Sequence, residues 1–371
     1  MNLRLFLFYC ITFSAYATNL TLNNLSLDQK IGQLFMVAAV AHKKTPNDCI
    51  KKKSYRMDKE YIEQLITDYH IGGIIYLGKS DLNTQIERTK HFQSLSTIPL
   101  LIGQDLEPGR VGAGRLEAMH AFFNNQILGK YCTTITYETA SAIAHLCKHL
   151  GVHINFAPVA DVNNNPDNPV INDRSFGDNP KTVTQHALAF FYGLQDNGII
   201  ACAKHFPGHG DTTIDSHYGL PLISHDKNRL HSIELYPFKQ LINAKIPAIM
   251  IGHLEVPAFE EQEHIPASLS KKIVTDLLRK ELNFTGLIIT DALDMQAVTK
   301  HYVNGQAELQ ALLAGNDILL VPVDVPAAVD AIKQALSDGI ITEEEIDMHV
   351  ERILKVKNLV CNSTSHPNSP L

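Results

Sequence analysis

No Lys/Arg run in this 371-residue sequence is longer than Lys51-Lys52-Lys53, and the formal net charge is −7. Nucleic acid and anionic membranes both demand a concentrated basic face, so neither is expected as the main partner. Cysteine is scarce, six in all, and no C-x-x-C spacing occurs. Zinc and dithiol redox motifs are therefore unsupported. No apolar run reaches the about 20 residues that a membrane-spanning helix needs. Internal repeats and low-complexity tracts are missing too. What remains is 45% apolar and 19% charged, which excludes a disordered tail and a coiled coil. A chain of this length buries a core without disulfide staples.

The first residues differ in kind. Met1-Asn2-Leu3-Arg4 is a short basic start, Leu5 to Ser14 is nearly all apolar, and Ala15-Tyr16-Ala17 has the form of a cleavage site. That order predicts a signal peptide over 1–17, a mature chain from Thr18, and a periplasmic or secreted protein. A cytoplasmic protein with a buried N-terminal helix is the alternative. No stable membrane insertion is expected after cleavage. Cys10 falls in the leader, leaving Cys49, Cys132, Cys147, Cys202 and Cys361, an odd set in which at least one is free. Cys202 lies in an apolar run and reads as a small core residue. Residues 18–360 are expected to form a single domain, and 361–371, rich in Asn, Ser, Thr and Pro, a flexible tail.

One unit recurs along the chain: a short apolar run, a polar loop, then a segment of helical period. The apolar runs are Leu34–Val37, Gly73–Tyr76, Leu100–Gly103, His153–Ala157, Ile199–Ala203, Ala248–Ile251, Leu287–Thr290 and Ile318–Val321. Helices are expected over Tyr137–Leu150, Val183–Asn197, Leu230–Asn243, Ser270–Leu282, Gln306–Ala314 and Pro326–Ser337. Strands that are apolar throughout are buried on both faces, as in a parallel sheet covered by helices. Eight such units fit an α/β fold, the (β/α)8 TIM-type barrel. An open doubly wound sheet is the runner-up, but no G-x-G-x-x-G follows the first strand.

A barrel demands that functional groups lie just past the C-terminal strand ends. Asp105 follows the third run, Asp161 the fourth, Lys204 and His205 the fifth, His253 the sixth and Asp291 the seventh. The richest loop, Lys204 to His217, holds three His (His205, His209 and His217) and two Asp (Asp211 and Asp215) around Pro207, Gly208 and Gly210. His205, His209, Asp211 and His217 have metal-ligand chemistry, but a loop cannot impose the facing geometry of a helical H-E-x-x-H. The preferred reading is a dyad, with Asp215 fixing the tautomer of His217 and making it a usable acid and base. Asp291, at the end of an apolar strand, points a carboxylate into the same mouth. A strand-end carboxylate with a separate acid/base is the equipment of a retaining glycosidase, although the usual acid/base is a second carboxylate.

From Leu27 to about Val321 the sequence resembles glycoside hydrolase family 3, in its single-domain β-N-acetylhexosaminidase branch. The resemblance is carried by Ser26-Leu27-Asp28-Gln29-Lys30-Ile31-Gly32-Gln33-Leu34, by Lys204-His205-Phe206-Pro207-Gly208-His209-Gly210 with Asp215-Ser216-His217, and by Ile289-Thr290-Asp291-Ala292-Leu293-Asp294-Met295. It implies that Asp291 is the nucleophile and His217 the acid/base, polarised by Asp215. It implies further that Asp105, Arg174, Lys204 and His205 grip a terminal sugar, whose hydroxyls suit charged partners. His253 matches a family position without an evident role. Two positions depart from the pattern: Pro108-Gly109 stands where Gly-Gly is usual, and Ala113 where a second Arg is common, with Arg115 as the available substitute.

The implied activity is release of terminal β-linked N-acetylglucosamine, with peptidoglycan fragments as the source and no metal or organic cofactor. Three alternatives stand beside it. A neutral His acid/base would let phosphate replace water, giving a phosphorylase. A silent wall-sugar-binding protein would keep the pocket without turnover, although it needs no nucleophile. A metal-dependent amidohydrolase on the same barrel would depend on chelatable metal.

Overall fold

Apolar runs of this kind pair most stably when both faces are covered, and here eight of them do so in one ring. The computed structural model describes residues 20–40, 58–216, 219–303 and 305–363. The strands are β1 (Phe35–Ala39), β2 (Gly73–Tyr76), β3 (Leu101–Gln104), β4 (Ile154–Asn155), β5 (Ile200–Phe206), β6 (Ala248–Ile251), β7 (Leu287–Thr290) and β8 (Leu319–Leu320). They run in the order β7-β6-β5-β4-β3-β2-β1-β8. Every pairing is parallel, and a parallel bridge from Ile289 to Ile318 closes the ring. The barrel expectation holds, and the open sheet is excluded.

Several bounds shift for local reasons. β4 stops at Asn155, short of the expected Ala157, because Pro158 has no N–H to add to the ladder; pairing resumes as a bridge from Val159 to Lys204. β8 ends early because Val321 sits at φ 47, outside the extended region. β5 runs further than expected, with a register irregularity between Ala203 and Phe206. Lys204 and His205 thus lie inside the strand end, where such irregularities re-aim side chains. The helix expected over Leu230–Asn243 is two, Lys227–Ser232 and Tyr236–Asn243. Pro237 opens the second, a position where its missing N–H costs nothing. The helix at Ser270–Leu282 is wound as a wider π-helix over Lys272–Glu281.

Helices Lys59–Tyr69, Leu82–Leu95 and Glu343–Ser363 complete the outer layer without having been expected. The first buries Ile62, Leu65 and Ile66, an i, i+3, i+4 stripe. The last is bolted to the barrel floor by Asp317, which is fully buried and accepts from Ile288 N at 2.8 Å, His349 Nδ1 at 2.8 Å and Arg352 Nη1 at 2.9 Å. It runs to Ser363, into the segment expected as a tail. The leader at 1–17, Cys49, the Lys51–Lys53 triplet and residues 364–371 lie outside the described residues. Cys147 and Cys202 are buried free thiols and Cys132 an exposed one. Among the described residues, no helix is long and apolar enough to cross a membrane.

Candidate active site

Three loops at the C-terminal end of the barrel bring charged side chains together. Asp105 follows β3, and Glu107 lies two residues on, fully buried. Gly109 turns this loop at φ 95, and a Cβ there would stand 2.7 Å from Asn124 Cβ. Only the second residue of Pro108-Gly109 therefore has to be glycine, and the first departure from the family pattern costs no geometry. Arg174 ends a short turn after β4 and forks onto Glu107, with Nε donating to Oε2 at 3.0 Å and Nη2 to Oε1 at 2.8 Å. Lys204 Nζ reaches Glu107 Oε1 at 2.6 Å and Asp105 Oδ1 at 2.9 Å. Arg115 Nη2 donates to Asp105 Oδ2 at 3.1 Å. The second departure is thus made good from two residues further along the loop.

The ionisation of this group follows from its pairing. Burial pushes the Glu107 carboxyl up, but Arg174 and Lys204 more than reverse it, leaving it well below the usual carboxylate range. Burial also raises Asp105, and Lys204 and Arg115 bring it below its ordinary value. Lys204 is lowered by burial and raised further by Asp105 and Glu107, so it stays charged. The result is a rigid set of fixed charges with little freedom to reorganise.

Asp161, fully buried, organises β5 and the loop beyond it. It accepts from His205 N at 3.1 Å, from His205 Nδ1 at 2.7 Å and from His209 N at 2.7 Å. Arg174 Nη2 stands 3.3 Å from His205 Nε2 and has only protons to offer, so that nitrogen is the acceptor and Nδ1–H faces Asp161. His205 is thereby oriented from both ends.

Asp291 is half-buried directly after β7, with Ala292 N donating to its Oδ1 at 2.8 Å. Burial raises its carboxyl, but the imidazoles of His205 and His253, the Ala292 amide and Lys204 hold it below the ordinary range. It is an ionised, half-buried carboxylate at the strand end. His253, fully buried, steadies the backbone beside it: Nε2–H donates to Ala292 O at 2.9 Å, which leaves Nδ1 to accept from Ser268 Oγ at 2.7 Å. Asp215 is half-buried in the β5 loop, and His217 lies outside the described residues.

The structure therefore gathers Asp105, Arg174, Lys204 and His205 at one mouth, with Asp291 within electrostatic reach. Glu107, Asp161 and Arg115 complete that network; sequence reasoning offered Arg115 as the substitute for Ala113 but named neither Glu107 nor Asp161 as a site residue. Asp161 stood at a strand end, and Glu107 is two residues from Asp105; burial distinguishes them, and burial is not written in a loop sequence.

The loop residues with ligand chemistry disperse. His205 faces Asp161, His209 faces Thr212 and Ser216, and Asp211 pairs with His225. Among the described residues, Asp211, His225 and Glu234 come close enough to share a cation. Arg229 already stands there, with Nη2 3.4 Å from Glu234 and 3.7 Å from Asp211.

The family described as the glycosyl hydrolase family 3 N-terminal domain matches residues 26–356. Beta-hexosaminidase A of Pseudoalteromonas piscicida is 34% identical over 91% of this chain, which spans 61% of that protein. Beta-hexosaminidase LpqI of Mycobacterium tuberculosis is 34% identical over 80% of this chain and 78% of its own length. The solved structure of a family 3 β-N-acetylglucosaminidase from Paenibacillus sp. superposes with a TM-score of 0.80 at 34% identity, over 94% of this chain and 64% of that one. A match over nearly all of the barrel, at this identity and with this topology, places the chain in glycoside hydrolase family 3.

Proposed function

We propose that the protein is a retaining glycoside hydrolase that removes terminal β-linked N-acetylglucosamine. The observation that carries the reading is Asp291: an ionised, half-buried carboxylate at a strand end, beside a cradle of fixed charges suited to sugar hydroxyls. Its carboxylate attacks the anomeric carbon, forming an ester bond as the glycosidic C–O bond breaks. His217, polarised by Asp215, gives its proton to the departing oxygen. The neutral imidazole then takes a proton from water, whose oxygen attacks the same carbon and releases Asp291. Asp105, Arg174, Lys204 and His205 hold the terminal sugar.

The sugar is proposed from the names of the relatives and from the motif around His217. Peptidoglycan fragments are the proposed source, met after export of the chain from Thr18 onward. The test is a chromogenic β-N-acetylglucosaminide with and without inorganic phosphate. Free sugar in both arms is expected. Sugar 1-phosphate would replace this reading with a phosphorylase, binding without turnover would make the protein a sugar-binding module, and turnover abolished by a chelator would replace it with metal-dependent hydrolysis.

A further inference from the structure

His209 is 1% exposed in the loop that follows β5, and neither of its ring nitrogens is spare. Nδ1 lies 2.8 Å from Thr212 Oγ1, and Nε2 lies 3.3 Å from Ser216 Oγ. The protons on this chain can be counted. The Thr212 hydroxyl has one proton and donates it to His209 O at 3.1 Å. Thr212 Oγ1 must then be the acceptor for the ring, so Nδ1 carries the hydrogen. That leaves a lone pair on Nε2, to which the Ser216 hydroxyl donates. Asn168, 1% exposed, secures the far end, donating from Nδ2 to His209 O at 2.9 Å and to Thr212 Oγ1 at 3.2 Å.

The groups facing the ring keep it in this state. Asp161 accepts from the His209 amide, the His205 ring lies 5.9 Å away edge-on, and Arg174 stands beyond it. Burial first, then His205, push the imidazole down to about 4. It is neutral at physiological pH, and the acceptor at Nε2 persists.

Ser216, 2% exposed, is the residue between Asp215 and His217. We propose that His209 is a positioning residue, which by holding the Ser216 hydroxyl anchors the loop beside Asp215 and so supports acid catalysis by the residue that follows, His217. The proposal rests on His217 being the acid/base. It concerns a group that touches neither sugar nor nucleophile.

Amide isosteres separate the two ring nitrogens. Gln at 209 sets an amide atom near the place of Nε2 and can still accept from Ser216. Asn sets one near the place of Nδ1 and cannot. With a poor leaving group, an alkyl or sugar aglycone, Ser216→Ala and His209→Asn should each lower pre-steady-state glycosylation about tenfold, a fraction of the 10²–10⁴ that a general acid supplies. With a nitrophenyl aglycone, which leaves without a proton, both should fall by less than about twofold and KM should hold. His209→Gln should recover most of the lost rate. A purely structural role would lower both substrates alike and would not distinguish Gln from Asn; either result overturns the proposal. His217→Ala run in parallel separates the two levels. If it lacks the leaving-group split, the acid/base reading has failed and this proposal with it. If it shows the split and Ser216→Ala and His209→Asn do not, only the positioning role is refuted.

Discussion

Lys204 Nζ sits 2.6 Å from Glu107 Oε1 in a pair whose side chains are 2% and 0% exposed. Charges so placed are costly to bury and still costlier to separate, because the survivor keeps its desolvation penalty. Lys204→Met leaves Glu107 to Arg174 alone and takes from Asp105 one of its two cationic partners. A stability loss of about 3–5 kcal/mol is expected, the usual consequence of breaking a buried pair. Urea unfolding midpoints of wild type and variant at pH 7 measure it, and a change below about 1 kcal/mol would contradict the account. The same pairing makes Glu107 unsuited to act as an acid, since both of its oxygens are already engaged by cations.

Asp291→Ala should abolish turnover and leave the fold intact, since the side chain is half-buried and packs little. Incubation with a slow fluorinated N-acetylglucosaminide should place a covalent sugar on the Asp291 peptide, read by mass spectrometry. A label on Asp294 would transfer the nucleophile to that residue.

Arg115, two residues beyond Ala113, supplies a guanidinium to Asp105 beside the Lys204 ammonium. Hydrogen bonds to charged groups contribute about 1.5–3 kcal/mol, so Arg115→Ala should raise KM about tenfold or more while kcat moves less. Steady-state kinetics on one chromogenic substrate decides it; an unchanged KM would deny Arg115 any part in holding Asp105.

Acid should destabilise the protein in two stages. Burial holds His153 and His209 at about 4 in the folded state, against 6.5 when unfolded. The unfolded chain binds the extra protons, so stability drops as pH falls from 6.5 towards 4, by about 3 kcal/mol for each ring. Asp105, Glu107 and Asp161 are depressed instead. Their contribution is complete above the unfolded carboxylate values of 3.8 and 4.5 and is lost as pH falls further. Chemical denaturation at pH 7, 5.5 and 4 should show loss already at 5.5. A flat profile down to pH 4.5 would remove the two histidines from the account.

Export should remove residues 1–17, and protein recovered from its native host should begin at Thr18 on N-terminal sequencing. An intact Met1 on cytosolic protein would overturn the leader.

The barrel was legible because its signal is local and repeated: Gly73–Tyr76, Ala248–Ile251 and Leu287–Thr290 are strands with the bounds their apolar runs suggest. Strand ends that depend on a neighbour were not, as β5 shows, whose irregular pairing with β6 carries Lys204 and His205 inside the strand. Helix Glu343–Ser363 also went unread, since its place is decided by Asp317, distant in sequence, on the barrel floor. Asp105, Lys204, His205 and Asp291 were identified from chemistry at strand ends, and Arg174 from resemblance. Composition and period set the class of fold and the residues with chemistry to offer. Only the tertiary structure decided their charge states and partners, because the burial of Glu107, the fork from Arg174 and the reach of Arg115 to Asp105 depend on loops meeting across the barrel mouth, and desolvation is a property of that meeting.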